Sequence, residues 1–192
     1  MPKHIVINAF SARRGGGKTY LFNLIKNFPI SQNIKVTMLV SKYYEIETIP
    51  TTFNVEVVFF PVDNPLLRVI WESIILPFFL RYQRADVFFS PGGTIPFTVR
   101  KGPWKTVTMF RNMIPFDLKQ RQQYPLGYMR IRNWLLAKIM LQSMESAELV
   151  IFISMYARQH IEKLSKNGIK KAVTIPHGVS DDFRNVGKIL KK

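Results

Sequence analysis

Three adjacent glycines, Gly15, Gly16 and Gly17, lead directly into Lys18 and Thr19, between an apolar run and a stretch of helical spacing. Glycine lets backbone approach a ligand closely, and a helix N-terminus presents unpaired N–H groups and the positive end of the helix dipole. A phosphate would sit well there. A tight strand-to-helix turn would need fewer glycines. Arg111-Asn112 closes a second apolar run, and a forked cation beside an amide suits phosphate oxygens or sugar hydroxyls. His177, within Ile175-Pro176-His177-Gly178-Val179, could act as a base, a ligand or a hydrogen-bonded loop residue. Without a paired acid, the structural role leads.

Other chemistries find little support. With no cysteine there is no disulfide framework, thiolate metal site or cysteine nucleophile, and a reducing compartment, the cytoplasm by default, is the natural setting. His4, His160 and His177 lie far apart in sequence, and the acids show no metal-ligand spacing. No serine-elbow motif appears. Ser90 and Ser154 each stand between an apolar run and a turn or helix, where capping is the expected role.

These residues need elements to position them. Short apolar, β-rich runs at 5–9, 35–40, 55–60, 87–90, 106–110, 149–153 and 172–175 read as strands. They alternate with helical segments at 18–27, 66–82, 128–144 and 156–167, the last stopped by Gly168. In 128–144, Ile131, Trp134, Leu135 and Ile139 fall at i, i+3, i+4 and i+8, which predicts a single buried stripe. The alternation predicts an α/β fold: a Rossmann-like, doubly wound, mainly parallel sheet of about seven strands. In such sheets ligands bind outside the carboxyl ends of the strands, which is where the glycine loop, Ser90-Pro91-Gly92-Gly93-Thr94, Arg111-Asn112, Ser154 and His177 all fall. The 192 residues, 47% hydrophobic and 21% charged, suffice for one compact domain over 1–180, with 181–192 as a linker or tail.

A net charge of +16 suits a polyanion: nucleic acid, an anionic membrane surface or a phosphate-bearing substrate. The basic residues are dispersed rather than arranged as a recognition helix or zinc finger, which disfavours nucleic acid. The apolar segment 66–80 contains Arg68, Glu72 and Pro77 and is too short and too interrupted to span a bilayer, and the N-terminus shows no secretory signal. Helix 66–82 could lay an apolar side on a membrane with Arg68, Arg81 and Arg84 at the headgroups, although such apolar content more often marks a core helix. The strongest rival to a phosphate-contact loop is a degenerate P-loop, Ala12 to Thr19, with alanine for the first glycine. It lacks an acid-tipped strand to hold magnesium: 57–63 is broken by Pro61, and Asp86 precedes its strand.

In order, the glycine loop, Trp71-Glu72 with Leu76-Pro77 on a helix, Ala85-Asp86-Val87 with Ser90-Pro91, and Ile175–Val179 with Phe183 form a recognisable series. It resembles the N-terminal domain of retaining GT-B glycosyltransferases of the group 1 (family 4) class over nearly the whole chain. The resemblance implies one half of a GT-B fold, the acceptor-side half, with a nucleotide-sugar donor held mainly by a C-terminal Rossmann-like domain. It places Gly15, Gly16, Gly17 and Lys18 on the interdomain cleft and His177 near the hinge. Many members carry a His-Asp pair after the fifth strand where this chain has Arg111-Asn112, and the family's carboxylate pair lies in the C-terminal domain, beyond this sequence.

The resulting expectation is an acceptor-binding half of a glycosyltransferase, needing a C-terminal donor-binding domain in cis or as a separate chain, and inactive alone. The expected substrate-binding residues are Gly15, Gly16, Gly17, Lys18, Arg111, Asn112 and His177. No metal or cofactor is expected beyond the nucleotide-sugar substrate, the acceptor is a sugar or a lipid-linked acceptor, and the setting is cytoplasmic, with an anionic membrane face as a peripheral partner. The alternatives are a P-loop nucleotide-binding domain and a basic membrane- or nucleic-acid-binding module.

Overall fold

A computed structural model describes residues 2–11, 16–28, 33–41, 55–117, 122–123 and 127–178. The described strands are β1 (Lys3–Asn8), β2 (Ile34–Ser41), β3 (Val55–Phe60), β4 (Val87–Ser90), β5 (Lys105–Phe110), β6 (Leu149–Phe152) and β7 (Ala172–Thr174). They form one sheet in the order β3-β2-β1-β4-β5-β6-β7, and every neighbouring pair is parallel. The helices are α1 (Gly16–Lys26), α2 (Pro65–Tyr82), α3 (Phe97–Arg100), α4 (Tyr128–Ser146) and α5 (Met155–Leu164). The expected Rossmann-like α/β sheet of seven parallel strands is therefore what the chain forms.

The strand order reverses direction between β1 and β4. Right-handed crossovers then place α1 on one face and α2 to α5 on the other. The core divides accordingly. Leu21 and Ile25 of α1 pack with Ile7, Val36, Met38, Val40, Phe89 and Met109. Trp71, Leu76, Leu80, Met140, Met144, Ala157 and Ile161 pack with Val6, Leu39, Phe88, Phe110, Val150 and Phe152 on the opposite side. Adjacent strand residues such as Val6 and Ile7, or Phe88 and Phe89, thus serve different layers, as the period of two requires.

Four expectations need correction. The first helix starts at Gly16, so Gly16 and Gly17 are its opening residues rather than loop. The last described helix ends at Leu164 with Ser165 as its C-cap, and Gly168, at φ +73°, turns the following loop instead. Ser90 caps no helix: its hydroxyl donates to the Thr94 carbonyl at 2.7 Å and pins the turn after β4, whereas Ser154 does cap α5 by accepting from the Ala157 N–H at 3.1 Å.

The fourth correction concerns α4. Ile131, Trp134, Leu135 and Ile139 face solvent, and the buried side carries Asn133, Met140, Ser143 and Met144. Both sides of this helix are apolar enough to pass as the inner one. Hydrogen bonding decides between them, because the Ser143 hydroxyl accepts from the Ile95 N–H at 2.9 Å and from Arg100 Nη2 at 3.0 Å. Turning Ser143 outward would strand a buried N–H group.

Helix α2 is also two-faced. Leu76 and Leu80 are fully buried, while Ile74 on the opposite side is 58% exposed. Leu80→Ala should therefore cost about 2–5 kcal/mol, and Ile74→Ala no more than about 0.5 kcal/mol, in urea unfolding followed by circular dichroism.

Candidate functional site

The chain leaving β1 is clamped before it reaches the glycines. The Asn8 side-chain amide donates to buried Glu72 at 2.9 Å, and its carbonyl accepts from the Phe10 N–H at 3.2 Å. The same Glu72 oxygen takes a bond from Arg68 Nε at 3.1 Å, so one carboxylate oxygen is held by two donors. The Phe10 ring stands edge-on to Trp71, with centroids 5.1 Å apart at 85°, and Phe60 and Phe79 complete the aromatic cluster. Trp71-Glu72, part of the sequence series, thus holds the end of β1.

The loop after β4 lies against this clamp. A Cβ on Gly92 would overlap the Ser11 side chain, and Gly93 adopts φ +84°, a left-handed conformation that side chains disfavour. The β1 and β4 loops therefore meet at the point where strand order reverses, the place at which open α/β sheets form a ligand crevice.

From there α1 begins. Gly16 has open space where a side chain would stand. The first four N–H groups of any α-helix lack intrahelical acceptors, so Gly16, Gly17, Lys18 and Thr19 supply the donors at this end. Lys18 is partly buried in the same turn. Gly15 and Ala12 lie outside the described residues.

One turn further, Tyr20 joins residues that are far apart in sequence. The Arg111 guanidinium, just past β5, lies 5.3 Å from the Tyr20 ring centroid. The His177 ring, past β7, lies 5.5 Å from it on a tilted contact. β7 is four strands from β1, about 19 Å at the usual strand spacing, so the segment after β7 turns back along the carboxyl edge.

The electrostatics follow from this crowding. Burial raises the Tyr20 phenol above its ordinary pKa, partly offset by the Arg111 cation. Burial holds Arg111 below the usual arginine value, with Tyr20 acting the other way. Burial first, and the Arg111 cation second, push His177 below the usual histidine value, so its ring is neutral at pH 7. Among the described residues, no carboxylate forms an ion pair with Arg111. A half-buried cation close to the opening turns of α1 gives this part of the sheet edge a positive potential that favours an anion.

Asn112 is not part of the cluster. It is exposed, and its side-chain carbonyl accepts from the Ile114 N–H at 3.1 Å, closing a turn. His4 is structural: its Nδ1 faces the Gln83 carbonyl and its Nε2 the Thr37 hydroxyl, each at 2.8 Å. Tyr20 was missed by sequence reasoning, since an aromatic residue in the second turn of a helix carries no signal of its own. Only the return of the β7 loop gives it meaning.

A groove of about 580 Å³ opens on the other face, beginning two residues beyond Arg111. Met113, Phe116, Trp134, Leu141 and Leu164 line it, with Tyr156 and His160 at one side. Those two rings stack at 6.1 Å, and His160 Nε2 is buried without a hydrogen-bond partner.

A magnesium-dependent nucleotide site would need an acid at the tip of a strand beside the loop. The neighbours of β1 end in Ser41 and Ser90. Asp86 lies at the opposite edge, bonded to Lys3 Nζ at 3.0 Å and to the His4 N–H at 2.9 Å, which together hold its carboxyl below the ordinary range.

Residues 14–183 match the family model described as Glycosyltransferase Family 4. No curated protein matches the chain.

The shared Tyr20 contact makes a prediction. Arg111→Ala removes a positive neighbour, so the His177 pKa should rise towards the ordinary histidine value while staying below it because of burial. A pH titration of the histidine ring protons by NMR measures this. An unmoved midpoint would show that the two side chains do not share one electrostatic site.

Proposed function

The chain belongs to glycosyltransferase family 4, and on that premise we propose that it is the acceptor-side half of an enzyme transferring a sugar from a nucleotide-sugar donor. The observation that carries this reading is the meeting of the α1 N-terminus, Arg111 and neutral His177 around Tyr20 at the carboxyl edge of the sheet. When a glycosidic bond to a nucleoside diphosphate breaks, negative charge builds on the leaving phosphate. Fixed N–H donors and a desolvated arginine stabilise such charge most where water is excluded. A second lobe closing over this edge would exclude it and would bring the nucleotide.

Arg111 stands where many family members carry histidine, so this chain's reading gives that position to a permanent cation. His177, neutral and adjacent, is suited to accept a hydrogen bond from an acceptor hydroxyl. The largely apolar groove that begins at Met113 on the other face supports an acceptor with a hydrophobic portion, such as a lipid-linked one. Cytoplasmic nucleotide sugars and a cysteine-free chain fit the same setting.

The test is sugar transfer by this chain combined with a donor-binding C-terminal lobe. Arg111→Ala should lower kcat by about 10²–10³-fold with a smaller effect on donor KM, and Arg111→Lys should recover part of the loss. Calorimetric titration supplies the opposing outcome: tight, magnesium-dependent ATP binding abolished by Lys18→Ala, with no response to UDP- or GDP-sugars, would replace this reading with the P-loop one.

A further inference from the structure

An 18-residue helix that closes one face of a sheet ordinarily turns its polar side outward. Helix α2 does not. Its buried side is fully used by Trp71, Glu72, Leu76 and Leu80, yet Leu67, Ile70, Ile74 and Phe78 on the outer side are 55%, 54%, 58% and 70% exposed. Their spacing, i, i+3, i+7 and i+11, makes one straight stripe along about 16 Å of helix. Leu66 and Tyr82 are exposed on its flanks, and Phe97 of the neighbouring α3 extends it, with the Lys101 ammonium 4.4 Å from the Phe97 ring centroid. Among the described residues, no helix is long and apolar enough to cross a membrane.

The exposed charges on α2, on the turn after it and beside Phe97 have one sign. Arg81 and Arg84 are exposed at its C-terminal end and Lys101 stands beside Phe97. The sole acid of α2, Glu72, is buried beneath the helix and already matched by Arg68 and Asn8.

We infer that the outer face of α2, together with Phe97 of α3, is a docking surface for an anionic lipid bilayer. The stripe enters the headgroup–acyl boundary, Tyr82 sits at its edge, and Arg81, Arg84 and Lys101 meet lipid phosphates. Charge chooses this occupant over a second copy of the chain. Two copies would each bring a net charge of +16 and repel, whereas an anionic bilayer attracts that charge. Because α2 runs antiparallel to the strands, a bilayer along it leaves the carboxyl edge of the sheet opening parallel to the membrane plane. The inference does not depend on the transferase reading, since its readout is binding alone.

The experiment is flotation of the full chain with vesicles of phosphatidylcholine alone and with about one third phosphatidylglycerol, at low and high salt. The wild type should float with the anionic vesicles and release as salt rises. Ile70→Gln/Ile74→Gln/Phe78→Gln should lose roughly tenfold or more of the partitioning, and Arg81→Glu/Arg84→Glu a similar amount at low salt. All five positions are exposed, so circular dichroism and melting should stay unchanged and separate lost binding from lost folding. The inference fails if the wild type does not float, if the glutamine variant floats like the wild type, or if neutral and anionic vesicles bind equally. It also fails if light scattering finds a wild-type dimer that the glutamine variant abolishes, which would assign the face to a second copy.

Discussion

A carboxylate buried under the end of β1 governs the rest of this structure. Glu72 lies within an otherwise apolar layer, which is costly for a charge unless it is matched. Asn8 and Arg68 match it, and in doing so they tie α2 to the first strand at the residue where the strand ends. The Phe10–Trp71 contact adds an apolar lock at the same place. The chain therefore leaves β1 in a fixed direction, and the glycine-initiated helix α1 starts from a defined point above the sheet.

That point lies at the reversal of strand order, and this explains why distant residues gather there. Every parallel strand delivers its carboxyl end to the same edge, so the segments after β1, β4, β5 and β7 need only short paths to meet. Tyr20 supplies a shared surface for Arg111 and His177. Partial desolvation then acts on both in one direction, lowering the pKa of the imidazole and of a guanidinium that stays charged. Among the described residues, this edge carries a cation and the opening N–H groups of a helix, with no carboxylate paired to Arg111.

The same helix that carries Glu72 inward carries an apolar stripe outward. These two properties share a cause in the sequence of α2, which is hydrophobic nearly all round. One side completes the core beside the end of β1; the other stays exposed to solvent. Helix α4 repeats the pattern, with Ser143 and Met140 inward and Ile131, Leu135 and Trp134 outward. An apolar residue in this molecule is thus a weak guide to which way its helix faces.

By itself, the sequence determined the sheet, the strand positions and the edge at which chemistry is to be sought. Those depend on local patterns: runs of β-branched and aromatic residues, glycine before a helix, functional types just after each run. Gly16, Gly17, Arg111, Asn112 and His177 were legible as candidates for this reason, and the Asn112 side-chain carbonyl also closes a local turn. The tertiary structure alone decided three matters. It joined Arg111 and His177 through Tyr20, because that contact spans more than 150 residues of chain and depends on the β7 loop turning back along the sheet edge. It chose the buried sides of α2 and α4, because hydrogen bonds to Glu72 and Ser143 outweighed apolar periodicity where both faces were apolar. And it exposed the outer stripe of α2, since whether a hydrophobic helix is core or surface is a property of what packs on it, not of its own residues.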